Sequence, residues 1–385
     1  MSNTDHLIRE LTTIRVEHAV IAVSLELSQV SWVVTALLPG SEKLSRYSLA
    51  AGDGTGLLSL LERLQVRAAK QHGTGLRTVV IQEAGFDGFW IHRLLQANGV
   101  ESHVVDAASI PVPRRRRRAK SDVIDGETLL RSLLAWLRGE PRVCSMVVPP
   151  TPEEEDRRRV VRERQVLHAE LTRQTNRIRG LLTAQGISDY RPRRRDRHKR
   201  LQEIKTGDGQ PLPDQLMREV RRALARIELL ESQIKEIAAE RTALIERAAP
   251  DSPAPRLLRL RSIGHEFAAT LSLEGLNRTY ANRRQVASYS GLAPTPWKSG
   301  KIDRDQGISK AGNPRLRKTM IELAWLWLRY QPDSALSRWF RERVGDQRGR
   351  VRKIAIVALA RKLLIALWRY VVQGVVPEGA VLKAA

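Results

Sequence analysis

The sequence predicts an α/β domain at its N-terminal end, followed by two mostly helical regions. Three observations support this fold class. Short runs rich in Val and Ile alternate with helical patterns as far as Ser109. An apolar seam at three- and four-residue spacing runs through the middle, and much of the tryptophan lies in helical patterns near the end. We expect three domains, over residues 1–150, 151–250 and 251–385, since a chain of 385 residues usually forms two or three.

The N-terminal elements follow a definite order. The predicted strands and helices are, in turn, Ala19–Leu25, Ser31–Leu38 and Leu44–Leu49 as strands, Leu57–Ala69 as a helix, Thr78–Gln82 as a strand, Phe86–Gln96 as a helix and Glu101–Val105 as a strand. A hairpin start followed by alternating helices and strands is typical of a ribonuclease-H-like fold. The competing arrangement is a doubly wound sheet, but no glycine-rich loop follows the first strand.

The central region predicts a helical arm over residues 153–248. Its second half carries one apolar seam, made of Leu216, Val220, Ala223, Ile227, Leu230, Ile234, Ile237 and Leu244, with Arg241 as the only break. Such a seam is typical of a coiled coil or of a long helical hairpin, and we favour a protruding or intermolecular coil over a helix packed on its own domain. Between the two halves lies Arg191–Arg200, which we interpret as an exposed basic tip.

The last region is predicted to be mostly helical. A polar loop from Gly291 to Gly312 lies at its centre, and the helical segments Met320–Tyr330 and Val351–Val372 are expected to form a core.

The net charge of the chain limits the kinds of partner that the protein can be expected to bind. The chain has 66 Lys and Arg against 42 Asp and Glu, a formal net charge of +24. This excess is unexpected for an enzyme of small neutral metabolites and points to phosphate polymers or an anionic membrane surface. No apolar run is long enough to span a membrane, and the segment before Ala19 is unlike a secretory signal. A single cysteine, Cys144, excludes a disulfide framework and fits a reducing cytoplasm. We expect an intracellular nucleic-acid-binding protein.

Three carboxylates in the first domain suggest a metal site. Glu83 follows a predicted strand, and Asp122 and Asp125 lie three apart at the start of a helix predicted to run to Arg138. Convergent carboxylates bind Mg²⁺, and such ions can bracket the two oxygens of a phosphodiester in strand cleavage. The alternative is structural: Glu83 as a solvated turn residue, and the two aspartates as helix N-terminal charges.

Three further features suggest contact with phosphate. A basic run stands directly before the aspartate pair and comprises Arg114, Arg115, Arg116, Arg117, Arg118 and Lys120. In the central loop Ser299 precedes a glycine and is flanked by Lys298, Lys301 and Arg304, a setting in which a serine hydroxyl can attack phosphate. The alternatives are a solvated patch for the run and an ordinary Ser-Gly turn for the loop. At the predicted arm tip, Arg193, Arg194 and Arg195 add another basic surface.

Three segments together resemble a known family. They are VVIQEAGFDGFWIHRLL (Val79–Leu95), RRRRRAKSDVIDGETLL (Arg114–Leu130) and YSGLAP…SGK…GISKAGNPRLRK (Tyr289–Lys318). In this order they resemble the bridge-RNA-guided insertion-sequence transposases, the DEDD recombinases related to Piv-type DNA invertases. The resemblance covers nearly the whole chain and implies a RuvC-like N-terminal domain, a coiled-coil arm and a C-terminal transposase domain.

The resemblance also implies a mechanism. Glu83, Asp122 and Asp125 correspond to family acids that hold a divalent metal, Mg²⁺ or Mn²⁺, and Ser299 corresponds to the serine that forms a phosphoserine intermediate with DNA. Both groups would act in one composite site. A bridge RNA encoded by the element would select target and donor DNA, and the protein would form dimers that assemble into a tetramer.

One position departs from the family pattern. The first family acid lies in the first strand, where this chain has Ser24 within AVSLE. Glu26 lies two residues on and on the same strand face, so it is a candidate for the missing metal ligand; a site of three carboxylates with Ser24 or water is the other possibility. We therefore expect an RNA-guided recombinase, with a metal-dependent Holliday-junction-type nuclease and a catalytically decayed nucleic-acid-binding protein as alternatives.

Overall fold

The computed structural model describes residues 20–85, 88–110, 122–140, 142–299 and 302–383; for residues 122–124, 298, 299 and 302–305 it describes the backbone only. The chain divides into two compact units, one ending at Thr151 and the other beginning at Pro152. Within the described ranges, no helix combines the length and the apolar character needed to cross a membrane.

The first unit contains a six-stranded mixed sheet. Its elements are β1 (Val20–Leu27), β2 (Ser31–Leu37), β3 (Ser45–Ala50), α1 (Gly54–His72), β4 (Arg77–Glu83), α2 (Trp90–Ala97), β5 (Glu101–Val105), a 3₁₀ turn (Ala107–Ser109), α3 (Asp122–Leu137) and β6 (Met146–Val147). The strand order is β3-β2-β1-β4-β5-β6. The first three strands are antiparallel neighbours, β4 and β5 run parallel to β1, and β6 is antiparallel to β5.

This order confirms the predicted hairpin start followed by alternating helices and strands. An all-parallel doubly wound sheet is not what the chain forms, because β1 and β2 are joined by a tight turn that allows only antiparallel pairing. The helix predicted from Phe86 begins at Trp90 instead, and Phe86 itself lies outside the described residues. The two-residue strand β6 was not predicted, since so short a run carries no periodicity.

Helices cover both faces of the sheet, which explains why β1 begins with four consecutive apolar residues, Val20–Val23, rather than with an alternating pattern. On one face, Ile21, Val23 and Leu25 pack with leucines of α1 and with α2. On the other face, Val20 and Ala22 pack with leucines of α3. The edge strand β3 has no fully buried residue, as expected for the rim of a sheet.

The second unit is mostly helical. Its elements are α4 (Pro152–Thr183), α5 (Arg197–Glu203), α6 (Asp214–Glu246), α7 (Pro253–Leu258), α8 (His265–Leu271), a π turn (Ser272–Leu276), α9 (Arg283–Tyr289), β7 (Pro294–Ser299), β8 (Ile302–Ile308), α10 (Pro314–Tyr330), α11 (Ala335–Val344) and α12 (Arg350–Gln373).

The long helices α4 and α6 form the predicted arm. The seam of α6 is buried at Val220, Ile227 and Ile237, where it packs with Leu171 and Ile178 of α4. The same chain therefore covers the seam. That the arm also joins protomers stays a prediction.

Arg241, the break in the seam, is explained by ion pairing. It lies near the base of the arm and pairs with Glu266 of α8, which also binds Arg164 of α4 at 2.6 Å. A charge in an apolar seam is thus satisfied by a carboxylate shared with the neighbouring helix.

The C-terminal part of this unit has its own core. Met320 and Trp327 of α10 pack with Leu359, Leu363 and other residues of α12, all of them fully buried. The core predicted for these two helical segments is confirmed. The prediction of a polar loop over Gly291–Gly312 is wrong, because β7 and β8 form a hairpin there.

Candidate active site

One candidate site, in the first unit, lies on the face of the sheet that α3 covers. Side chains alternate along a strand, so Ser24 and Glu26 continue the face of Ala22, which packs against α3. By the same alternation Glu83 continues the face of Ile81, which also packs against α3. The predicted residues of β1 and β4 therefore share one side of the sheet.

The register places two of these residues side by side. Ser24 pairs with Ile81 and Leu25 with Gln82 in the parallel β1–β4 ladder. Continuing by one residue puts Glu26 level with Glu83 on the neighbouring strand, about 4.8 Å away between backbones. Both glutamates are half-buried. Two carboxylates at adjacent strand positions repel unless a cation or a proton lies between them.

Ser24 connects this face to α3. Its side chain is fully buried, and its hydroxyl donates a hydrogen bond of 2.7 Å to the carbonyl of Gly126. A Cβ at position 126 would lie 2.8 Å from Oγ1 of Thr35 on β2, so glycine lets the helix approach the sheet closely. Asp125 immediately precedes Gly126 and is half-buried.

The structure thus brings Ser24, Glu26, Glu83 and Asp125 to one side of the sheet. Asp122 begins α3 one turn before Asp125, and its side chain is not described. Among the described side chains, no group of three or more Asp, Glu, His or Cys residues is arranged to hold a metal ion. The complete metal site therefore stays a prediction. The basic run, Arg114–Arg118 with Lys120, lies outside the described residues.

A separate candidate site, in the second unit, is the β7–β8 hairpin. Ser299 is the last residue of β7 and pairs with Ile302, the first residue of β8. Lys298 pairs with Asp303, and Trp297 with Arg304. The side chains of Lys298, Ser299 and Arg304 are not described, and Lys301 lies outside the described residues. The serine therefore lies at the tip of a hairpin.

The base of the hairpin is tightly packed. Gly291 and Gly312 both have positive φ, and a Cβ at Gly312 would lie 2.4 Å from the carbonyl oxygen of Tyr289. The amide of Asn313 donates to that same carbonyl at 2.7 Å, and Arg317 donates to the Lys310 carbonyl at 2.9 Å. These contacts hold the entering and leaving strands together.

Glu274 holds the base of the β7–β8 hairpin in place. Its side chain is 1% exposed and accepts hydrogen bonds from Nε of Arg162, at 2.9 Å, and Nδ2 of Asn313, at 2.8 Å. Burial alone would raise the pKa of Glu274. The hydrogen bonds from Arg162 and Asn313, together with the Arg162 charge, outweigh it and hold the pKa below its usual value. Arg162 belongs to α4, so the anchor connects the arm to the hairpin.

Sequence reasoning missed Glu274. It lies in the π turn, within the apolar segment LSLEGL, and its partners are 112 and 39 positions away. A single acid among leucines was the available signal, and it does not identify partners so distant in the sequence. Asn313 carries a clearer sequence signal, because Asn directly before Pro is typical of a helix N-cap. In the structure its Oδ1 accepts hydrogen bonds from the backbone amides of Arg315 and Leu316.

Comparisons with known proteins decide the family. The model of the "Transposase IS116/IS110/IS902 family" matches residues 254–338. The chain is also 59% identical to the putative transposase y4rJ of Sinorhizobium fredii over 384 residues, which cover 97% of each chain. The chain belongs to the IS116/IS110/IS902 family of transposases.

Two further relatives are similar over shorter parts of this transposase. The transposase for insertion sequence element IS1328 of Yersinia enterocolitica is 29% identical over 261 residues, which cover 67% of this chain and 73% of the relative. A probable family 20 transposase of Pseudomonas aeruginosa is 31% identical over 222 residues, or 55% and 60% of the two chains. The resemblance is thus confirmed as membership of an insertion-sequence transposase family, and RNA guidance and the serine mechanism stay predictions.

The basic tip of the transposase arm is partly neutralised within the protein. Arg193 pairs with Glu231 at 3.2 Å and Arg194 with Asp196 at 2.9 Å, whereas Arg195 is exposed and makes no ion pair among the described residues. Because exposed ion pairs contribute about 0–1 kcal/mol, a phosphate can replace the glutamate at little cost. The tip stays a predicted nucleic-acid surface with fewer free cations than its sequence suggests.

Proposed function

We propose that this transposase is an RNA-guided DNA recombinase that excises and inserts its element through a phosphoserine intermediate on Ser299. The observation that carries the proposal is the position of this residue at the tip of a hairpin whose base is held by buried polar contacts. A protruding tip can reach a phosphodiester within a nucleic acid. Because the base of the hairpin is anchored, the serine hydroxyl would approach the phosphorus in a fixed geometry.

The chemistry of the proposed step balances without a co-reactant. Oγ of Ser299 attacks phosphorus and gives up its proton, the bond between phosphorus and the leaving strand's oxygen breaks, and that oxygen takes up a proton, so the net number of protons is unchanged. The phosphoserine ester retains the bond energy, so attack by the hydroxyl of a second strand rejoins DNA and releases the serine. Lys298, Lys301 and Arg304 would neutralise the phosphate oxygens.

The first unit would supply a RuvC-like metal site. The strand order and the shared face of Glu26, Glu83 and Asp125 support this assignment, and carboxylate oxygens are the donors that Mg²⁺ or Mn²⁺ prefers. With Asp122 they would hold the ion, which supplies Lewis-acid activation of the phosphate. In place of the first family acid, Ser24 binds α3, and we propose that Glu26 provides the carboxylate instead.

A bridge RNA and two DNA duplexes would be the partners. The support is the net charge of +24 and its distribution over the run before α3, the arm tip and the hairpin. Binding several polyanions at once requires separate basic surfaces, and it makes binding steeply salt-dependent. We further propose that dimers assemble into a tetramer, so that the serine and the carboxylates of the assembled complex act on the same phosphodiester.

The proposal is tested by trapping the covalent intermediate. The protein is incubated with labelled DNA containing the element end and a nick that prevents rejoining, and protein–DNA adducts are separated under denaturing conditions. We expect an adduct with the wild type and with Ser309→Ala, a matched serine just after β8, and none with Ser299→Ala. Cleavage without any adduct in the wild type would instead favour the metal-dependent nuclease.

RNA guidance has its own readout. The protein is recovered from cells that carry the element, and the bound RNA is sequenced. One discrete RNA encoded beside the transposase gene is expected, whereas a random sample of cellular RNA would contradict guidance.

A further inference from the structure

A basic groove in the second unit lies beside the serine hairpin. The groove has a volume of about 960 Å³ and is bordered by α9, the start of β7, α11, α12 and the chain after α12. Five cations line it: Arg283, Arg284, Arg361, Lys362 and Arg369. One carboxylate, Glu378, lies at its edge and is within 3.6 Å of Arg338.

The groove cations are not used by the fold. Among the described residues, Arg283, Arg284, Arg361 and Arg369 form no ion pair, whereas four arginines of the arm tip do: Arg193, Arg194, Arg197 and Arg200. Lys362 contacts the ring of Trp339 at 4.7 Å, which leaves its charge available to an anion. Five neighbouring positive charges repel one another, so their clustering is relieved when a polyanion binds.

The cations on α12 follow one face of the helix. Arg361, Ile365 and Arg369 are spaced four residues apart, and the opposite face of α12 is buried at Leu363 and Leu367. From Arg361 to Arg369 the helix rises about 12 Å, which corresponds to roughly three steps of a nucleic-acid strand at about 3.4 Å per step. This spacing suits several phosphates of one strand better than a single phosphate group.

The groove leads toward the proposed nucleophile. Pro294 and Pro296 at the start of β7 line it, and Ser299 lies three residues beyond Pro296, about 10 Å along the strand. Arg283 and Arg284 on α9 form the wall at this end. A strand that lies along α12 is therefore led by the lining of the groove to the hairpin that carries the serine.

We propose that this groove binds the phosphate backbone of the DNA strand that Ser299 attacks. Continuity with β7 favours DNA over the guide RNA, because the strand nearest the nucleophile has to be the one that is cleaved. The identity of the strand rests on the function proposed for Ser299, whereas the binding of DNA in the groove does not.

The test compares two double variants that remove equal charge. Arg361→Gln with Arg369→Gln alters the groove, and Arg63→Gln with Arg67→Gln alters the exposed side of α1, which lies on the sheet face opposite the carboxylates. Affinity for a labelled DNA duplex and for an RNA of the same sequence is measured over a series of salt concentrations. Circular dichroism establishes that each variant is folded, and Arg283→Gln with Arg284→Gln, both exposed, repeats the test on the other wall.

We expect the groove variant to lose about tenfold in DNA affinity at physiological salt, and its salt slope on the duplex to fall by roughly 1.8 for two lost phosphate contacts. The α1 variant should retain the wild-type slope. Equal salt slopes for the wild type, the groove variant and the α1 variant would overturn the proposal. A loss of affinity for RNA without a loss of affinity for DNA would also overturn it. Binding does not require cleavage, so the adduct assay on Ser299 and this assay fail independently of each other.

Discussion

The carboxylate face of the first unit and the serine hairpin of the second are built in different ways. On the carboxylate face, each candidate residue is placed by the register of neighbouring strands or by the close approach of α3 at Gly126. The hairpin carries its serine at the tip, and the contacts that fix it, around Glu274 and Asn313, lie at the base. The carboxylate site is therefore preorganised by the sheet itself, whereas the position of the serine depends on an anchor some distance away.

Glu26 and Glu83 give the sharpest test on the sheet side. If they share a metal as neighbouring strand residues, Glu26→Gln and Glu83→Gln should each lower the rate of metal-dependent DNA cleavage by about a hundredfold or more, because each removes a ligand that stabilises charge in the transition state. Glu62→Gln on the exposed side of α1 is the matched control and should behave as the wild type. Cleavage is measured over a Mg²⁺ titration.

The two glutamate variants also distinguish the alternatives at Ser24. Loss of activity in Glu83→Gln with normal activity in Glu26→Gln would mean that Ser24 or water completes the site. Normal activity in both variants would contradict a metal site at these carboxylates.

The anchor on the hairpin side should respond in stability. Glu274→Gln removes the charge that binds Arg162, and since Arg162 is 42% exposed and can return to water, we expect a loss of about 1–3 kcal/mol in the free energy of unfolding. Glu219→Gln breaks a surface pair with Arg177, 2.7 Å long, and should cost less than about 1 kcal/mol. Urea unfolding measures both. Equal costs would show that Glu274 is no special anchor.

The pH dependence of the Glu274 effect follows from its pKa. Because the pKa of Glu274 is held below the usual value of about 4.3, its contribution to stability is complete above that pH and is lost as the pH falls through the lower folded value. The difference between the wild type and Glu274→Gln should therefore be constant near neutral pH and disappear in acid. A difference that grows toward acid pH would contradict the direction of the shift.

The smallest effect is expected at Ser24. Ser24→Ala removes a buried hydrogen bond to Gly126 and should lower the free energy of unfolding by about 1 kcal/mol, while leaving metal-dependent cleavage near the wild-type rate. A large loss of cleavage with little change in stability would instead identify the hydroxyl as part of the metal site. Thermal unfolding and the cleavage assay together separate the two results.

Much of the fold was predictable because most of its helices and strands show a local pattern of apolar residues in the sequence. β1, β2 and β4 are apolar runs bounded by turns, and α6 shows its seam directly in the sequence. The β7–β8 hairpin was missed because Pro294 and Pro296 argue against a strand, and polar residues hide the alternation. An element was therefore predictable where its residue pattern was visible, and β6 was too short to show one.

The candidate site was predictable only in part. Glu83, Asp125 and Ser299 stand in segments with local signals, such as a strand end, a helix start and a serine-glycine pair. Long-range partners such as Glu274 and Arg162 have no such signal, because their contact is created by the packing of α4 on the π turn. The groove on α12 was missed for the same reason, since its cations come from separate helices.

Mapping the trapped adduct shows directly whether Ser299 forms the bond to DNA. The adduct is digested with nuclease and with a protease other than trypsin, because Lys298 and Lys301 would leave a tryptic peptide too short to identify, and the modified residue is located by mass spectrometry. We expect one nucleotide phosphate on Ser299. A nucleotide on any other residue, or strand exchange with Ser299 unmodified, would contradict it.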